Sequence, residues 1–572
     1  MPEYLAPGVY VEEVSFRSKS IEGISTSTTA FVGVTRKGPT SGTPELITSF
    51  GDFERIYGGL DDISFGSSSV TNYLSHGVKS YFDNGGARLF VARVFVTDGL
   101  TTGVAASGMI GDGIDADDQF SFSARSPGAE GNGGVTLSVN ETDVNGAAIT
   151  DPALNRAPNG SLLDNGGTVY IKSNGDWIDA SDAVFAGPAG GTATLVTLNV
   201  LITDANGNDT FYENLGFGSE HPNFVGNTLS VTPVRRIDQL QNNYSIALGA
   251  TVDGYRLYSI VSAEIGVGDS ASYTMSGGND GGMPAATNYV APLLSLASND
   301  DISIVAAPGY SAYTDRAGIQ NELLTHVEQR KSYRFAVLDV PVDQTVTQAV
   351  AVKSTIDSSY AALYHPWIVV SNPLARPNDS SIPNEVALPP SGFVCGIYAR
   401  NDNTKGVAKS PGNEVVRGAL RFQTEISFAE QEILNPKGVN CLRFFPGRGN
   451  RLWGARTTSS DPEWKYVGPR RYFLYLERSI DRSTQWAVFE NNGPSLWANV
   501  RETVTSFLYN EWRSNSLLGS TPEEAYFVRC DRTTMTQNDL DNGRMICLIG
   551  VSVLKPAEFV VFRIGQKTMD AR

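Results

Sequence analysis

The sequence predicts a multidomain α/β chain, α+β in its overall layout, with a β-rich domain inserted into it, and two observations carry that prediction. First, short apolar strands and helical stretches alternate between residues 302 and 370, the order of a mostly parallel sheet covered by helices. Second, residues 98–273 hold 21 Asp and Glu against 6 Lys and Arg, so a net −15 of the chain's −17 lies in one block. That block is also rich in Gly, Asn, Thr and Val. Length agrees, since 572 residues at about 150 per domain make roughly four domains.

Each element has its own signal. Inside the acidic block, Val135-Thr136-Leu137-Ser138-Val139 and residues 194–201 alternate with period two between turn residues, which predicts antiparallel strands. Beyond it, Ile302-Ser303-Ile304-Val305-Ala306-Ala307 reads as a short buried strand. Residues 318–331 carry Ile319, Leu323, Leu324 and Val327 at helical spacing. A second strand is expected at 334–340, a second helix at 344–360 and a third strand at 367–370. Near the C-terminus Pro494-Ser495 opens a strong helix, 496–515. Trp497, Val500, Val504, Phe507, Leu508 and Trp512 fall on one face, and Gly519 lies past its end. Two apolar strands, 545–554 and 559–564, are expected to pair as a hairpin through Lys555-Pro556-Ala557-Glu558.

Signals for catalysis, metals and cofactors are absent. There is no Walker loop, and the glycine-rich stretch 128–134 lacks a strand-to-helix context, so it reads as a turn. His76, His221, His326 and His365 share no zinc spacing with one another or with cysteine. The acidic runs 115–118 and 204–209 begin like calcium loops, but Ser126 and Leu215 stand where an EF-hand needs glutamate; polar turns are expected. Asp339, His365 and Ser391 occur in the order of subtilisin-type proteases, yet Pro390, Gly392, Pro366 and Trp367 do not make the surroundings such a site needs. The expectation is no catalytic residue, no metal, no cofactor and no enzyme. With net charge −17 and no basic run, nucleic acid is not an expected direct partner. No apolar stretch reaches the roughly 18 residues of a membrane helix, so no membrane insertion is expected. The N-terminus carries no export signal, and Cys395, Cys441, Cys530 and Cys547 are then expected to be reduced core residues.

A set of strings, in order along nearly the whole chain, resembles the contractile tail sheath family of phage tails, R-type bacteriocins and extracellular injection systems. They begin with Pro7-Gly8-Val9-Tyr10-Val11-Glu12-Glu13, Thr29-Ala30-Phe31-Val32-Gly33 and Tyr81-Phe82-Asp83-Asn84-Gly85-Gly86. Pro127-Gly128 with Gly131-Asn132, and Ser276-Gly277-Gly278-Asn279-Asp280-Gly281, resemble the edges of that family's variable region. Leu338-Asp339-Val340-Pro341, Pro389-Pro390-Ser391-Gly392, Leu434-Asn435-Pro436-Lys437-Gly438, Trp453-Gly454-Ala455-Arg456-Thr457 and Pro556-Ala557-Glu558-Phe559 follow. Trp367 and Trp453 read as core anchors. Arg400, Arg443, Arg456, Arg470 and Arg471 read as solvated charges or subunit contacts.

The resemblance implies a structural subunit of a sheath that stacks as six-subunit rings around an inner tube and contracts. Its implied partners are further copies of itself, the inner tail tube protein, and baseplate and tail terminator proteins. Its implied location is a virion tail or injection particle assembled in the bacterial host cytoplasm. The alternative is a non-contractile surface-array or adhesin-like polymer. The implied layout is an N-terminal arm at 1–25, a first part of the sheath core at 26–97 and an inserted acidic outer domain at 98–275. An α/β middle domain at 276–440, a C-terminal core domain at 441–545 and a C-terminal strand or arm at 546–572 complete it. Strand-prone ends suit exchange between subunits, at Val9, Tyr10, Val11, Val14, Phe559, Val560, Val561, Phe562 and Ile564. The polar face of the 496–515 helix, with Arg501, Glu502, Thr505, Tyr509 and Arg513, is expected to face the tube.

Overall fold

The computed structural model describes residues 21–97, 105–110, 119–144, 152–186, 193–266 and 269–562. Its centre is a nine-stranded sheet. In spatial order the strands are Leu46–Ile47, Leu89–Val94, Thr29–Val34, Ile304–Ala306, Phe335–Asp339, Ala361–His365, Val439–Phe445, Gly449–Leu452 and Glu414–Val415. The six from Leu89–Val94 to Val439–Phe445 run parallel to one another. These segments are continuous apolar runs, as strands buried on both faces require, and every residue of Thr29–Val34 and Leu89–Val94 is buried. Alternate side chains go to opposite faces. Phe31 joins a cluster with Leu74, Val78, Phe393 and Ile397 from helices Tyr73–Asp83 and Ser391–Lys405. Ala30, Val32 and Val34 join Leu293, Leu323 and Ala349 from helices Ala286–Ala297, Arg316–Glu328 and Val346–Ser354. On the first face the two helices touch backbone to backbone. A Cβ on Gly392 would lie 2.7 Å from the Gly77 Cα, so the glycine in Pro389-Pro390-Ser391-Gly392 is required by that approach.

The strand expected at 367–370 is not the next parallel strand; that place is taken by Ala361–His365. Pro366 has no N–H to give to the ladder. The chain then turns into a separate three-stranded antiparallel sheet, where Ile368–Ser371 lies between Glu385–Leu388 and Arg421–Phe422. The helix expected over 344–360 is shorter, Val346–Ser354, capped at its start by Thr345 and Gln348.

Between Leu89–Val94 and Ile304–Ala306 the chain builds a second body with its own core. The alternating stretches near 135 and 194 lie in two twelve-residue antiparallel strands, Gly133–Val144 and Ala193–Asp204, at the centre of a seven-stranded sheet. Leu137, Leu198 and Val200 pack with Phe122 of a three-stranded sheet and Val261 of helix Gly254–Ile265. Entry and exit meet at the core, where Gly282 N donates to Val96 O at 3.0 Å. The two edge strings lock together there. Asn132 and Gly278 exchange hydrogen bonds of 2.8 and 2.9 Å, and Asp280 accepts from the Ala129 and Ser64 amides. Glu130, buried, takes Lys37 at 2.7 Å and Arg36 at 3.3 Å. The 204–209 run is a tight turn in which Asp204 Oδ1 accepts from the Asn206 and Asn208 amides, both at 2.8 Å; the run 115–118 lies outside the described residues.

The C-terminal part packs helices Val467–Ser483 and Pro494–Arg513 against a two-stranded sheet. Here the expected terminal hairpin is corrected. Leu548–Val551 pairs with Tyr526–Arg529, and residues 559–562 join no strand among the described residues. Pro556 withholds an N–H donor, and the Glu558 side chain is drawn inward before those four residues begin. Among the described residues no helix is long and apolar enough to cross a membrane.

Candidate functional site

The candidate surface lies near the two ends of the described residues, and each root is held by a buried arginine. At the C-terminal root the Arg456 guanidinium is bidentate on Glu558, Nε to Oε1 at 2.8 Å and Nη2 to Oε2 at 2.5 Å. Asn435 Nδ2 donates to the same carboxylate at 2.7 Å and Tyr466 OH at 3.1 Å, while Arg456 Nη1 donates to Asn435 O at 2.9 Å. Burial raises the Glu558 carboxyl, but these four donors outweigh it and hold it below the usual carboxylate range. Three strings far apart in sequence, around 435, 456 and 558, converge on this one clamp.

At the N-terminal root Arg471 is bidentate on Asp402 at 3.0 and 2.6 Å, with both side chains almost fully buried. Arg471 Nη2 also donates to Thr26 O at 3.0 Å, and Thr26 Oγ1 donates to Asp402 Oδ2 at 2.7 Å. For three of the five arginines the reading as solvated or subunit contacts is corrected. Arg456, Arg470 and Arg471 are buried, and Arg470 lies 4.0 Å above the Tyr360 ring and 4.6 Å above Trp464. Arg400 and Arg443 are bonded to backbone carbonyls of their own chain. Trp367 is a buried anchor; Trp453 is half-buried.

Past the clamp the side chains turn outward. Phe559, Val560, Val561 and Phe562 are 74%, 69%, 77% and 83% exposed. Ile564 lies outside the described residues, as do Val9, Tyr10, Val11 and Val14. The two-stranded sheet beside helix Pro494–Arg513 shows more apolar surface, at Phe527, Leu548 and Ile549. On that helix Val500, Val504, Phe507 and Leu508 face the core; Arg501, Glu502, Tyr509 and Arg513 are exposed and Thr505 is half-buried.

Asp339, His365 and Ser391 do not assemble into a relay. Ser391 donates to Asp339 through its amide at 2.7 Å and its hydroxyl at 2.6 Å, whereas both ring nitrogens of buried His365 find no partner among the described residues. The Asp339–Ser391 pair instead ties a strand end to the start of helix Ser391–Lys405. Sequence reasoning missed both root clamps. For the C-terminal clamp the available signal was that Arg456 and Glu558 each stood inside a singled-out string; Asp402 stood in none.

Comparison with known proteins gives a consistent result. The phage tail sheath protein central domain matches residues 284–458, and the phage tail sheath C-terminal domain matches 459–567. A putative prophage major tail sheath protein of Pseudomonas aeruginosa (strain UCBPP-PA14) is 24% identical over 267 residues, 46% of this chain and 64% of that protein. The tail sheath protein of Enterobacteria phage T4 is 24% identical over 177 residues, 30% of this chain and 26% of that protein. The chain thus spans less than two thirds of the length of these curated relatives. In fold it is similar to the PVC sheath complex of an extracellular contractile injection system in the contracted state, with a TM-score of 0.55, 18% identity and 99% of each chain covered.

Proposed function

The chain belongs to the phage tail sheath family, and from that premise we propose that it is the structural subunit of a contractile tail sheath. It stacks as six-subunit rings around an inner tube and contracts to drive the tube through a target envelope. A contact between unlike surfaces that does not close on itself builds such a helix. Its partners are further copies of itself, the tube protein, and the baseplate and terminator proteins at the two ends. It is assembled in a bacterial host's cytoplasm and carried in a tail or injection particle.

The observation that carries this reading is the exposed segment Phe559, Val560, Val561 and Phe562, which leaves a clamped root and finds no strand among the described residues of its own chain. In a monomer such a segment invites uncontrolled pairing; in a polymer it is the link. Added to the two-stranded sheet of a neighbour, it makes backbone hydrogen bonds and covers Phe527, Leu548 and Ile549. Full burial of each of its four side chains contributes roughly 1.5–3 kcal/mol, against about 1–2 kcal/mol per residue for ordering the backbone. One link is therefore weak, and a cylinder depends on many. Such links persist while rings rotate and shorten, so contraction needs no nucleotide. The extended form is the trapped state, and the contracted form buries more surface.

Negative-stain microscopy of the purified full-length chain tests this. Hollow ribbed cylinders are expected. Flat lattices would replace the reading with a non-contractile array, and monodisperse particles with hydrolytic activity would end it.

A further inference from the structure

The C-terminal sheet holds a second chemistry that the assembly reading does not use. Tyr526–Arg529 and Leu548–Val551 run antiparallel with Arg529 opposite Leu548. One step further in the same register stand Cys530 and Cys547, and both side chains pack in the same C-terminal apolar cluster. Thr534 Oγ1 donates to Ile546 O at 2.7 Å, which draws the same two segments together just beyond. Residues opposed across an antiparallel pair have Cα atoms about 4.5–5.5 Å apart, inside the roughly 4.4–6.8 Å that a disulfide spans. Cys530 is buried at 1% exposure, whereas Cys547 is only half-buried and open to a small reagent. All four cysteines are free, and Cys395, Cys441 and Cys530 are buried as expected of reduced core residues. Cys395 and Cys441 sit in separate clusters of the central core, with no such neighbour described.

We propose that Cys530 and Cys547 are a modification site, a dithiol that a small-molecule disulfide of the glutathione class converts to an internal disulfide. Cys547, as thiolate, attacks one sulfur of the oxidant, whose S–S bond breaks and releases one thiolate. Cys530 then attacks the Cys547 sulfur of the mixed disulfide and releases the second. Two protein thiols are oxidised, one oxidant disulfide is reduced to two thiols, and the two protons end on the leaving groups. Burial raises both thiols' pKa values, so exchange is slow and needs a long incubation. The bond closes the loop 531–546 and fixes the register of the sheet on which the assembly reading seats a neighbour's strand. The chemistry itself does not rest on that reading.

The test uses native full-length protein incubated with oxidised glutathione, alkylated and digested with trypsin without reduction. Arg529, Arg532 and Arg544 place the two cysteines in different peptides. The expected product is a linked pair of peptides containing Cys530 and Cys547, lighter by two hydrogen atoms than the pair alkylated-free and unlinked, with Cys395 and Cys441 still alkylated. Cys530→Ser is expected to stop at a single glutathione adduct on Cys547. Four alkylated cysteines after incubation of the wild type, or a linked peptide that forms only in urea, would overturn the proposal. The wild-type measurement decides even where a variant fails to fold.

Discussion

At the scale of single residues, buried charges set the behaviour. The Arg456–Glu558 clamp is part-exposed, so its worth is discounted, and Glu558→Gln is expected to weaken the root by roughly 2 kcal/mol. That corresponds to about a thirty-fold rise in amide exchange over residues 555–562, with a modest fall in the melting temperature of the folded body because Arg456 stays buried. Unaltered exchange would mean that the root is held by something else. Asp339 gives a pH prediction. Burial pushes its carboxyl up to about 7, and the two Ser391 bonds oppose this without overturning it. The folded chain then keeps a proton that the unfolded chain has lost, so stability falls as pH rises from about 4 to 7. His76, His326 and His365, each held at about 4 by burial, act with the opposite sign, adding stability as pH rises to about 6.5. The difference between wild type and Asp339→Asn isolates the carboxyl. Urea midpoints at pH 5, 6 and 7 are expected to show wild type losing about 2.3 kcal/mol relative to the variant. A difference that stays flat would show Asp339 already ionised at pH 5.

At the scale of elements, two segments present surface that the other described residues do not cover. Helix Pro494–Arg513 buries one face and leaves Arg501 and Arg513 exposed. On the proposed function these meet carboxylates of the tube through pairs of about 0.2–1 kcal/mol each, weak enough to slide and numerous enough to align. Arg501→Glu with Arg513→Glu, co-expressed with tube protein, is expected to give sheath that polymerises mostly wide and empty. Normal tube-filled particles would remove this helix from the tube contact. The second segment begins at Phe559. Deleting residues 559–572 takes away four exposed side chains and leaves Glu558 in its clamp. The truncated protein is expected to melt within a few degrees of the full chain yet form no long cylinders. A large drop in melting temperature would place those residues in the subunit's own core.

At the scale of the whole molecule, the chain is a parallel core that carries a second body on a short junction. Because Val96 and Gly282 are hydrogen-bonded, the chain leaves and re-enters the core at neighbouring points, within reach of a short linker. Replacing residues 98–275 with a short Gly/Ser linker is expected to preserve folding of the core and cylinder assembly, read by circular dichroism and microscopy. The cut removes Glu130 from Arg36 and Lys37, so a modestly lower melting temperature is expected as well. A folded variant that assembles nothing would place the block inside the subunit contacts.

What the sequence determined by itself is what local physics encodes. Apolar runs such as Phe335–Asp339 followed by helical spacing gave the α/β class, since burial on two faces and a 3.6-residue period are both written in neighbouring residues. The long helix was legible for the same reason, its start at Pro494 included. Only the tertiary structure decided which distant pieces meet. Thr29–Val34 lies between Leu89–Val94 and Ile304–Ala306, and Leu548–Val551 chose Tyr526–Arg529 over the nearer residues 559–562. An apolar strand fits many edges, and the choice among them rests on packing summed over the whole core. Charges were illegible for a related reason. Arg456 and Arg471 look in sequence like any solvated arginine, and only the fold brings Glu558 and Asp402 within hydrogen-bond reach to make their burial stable.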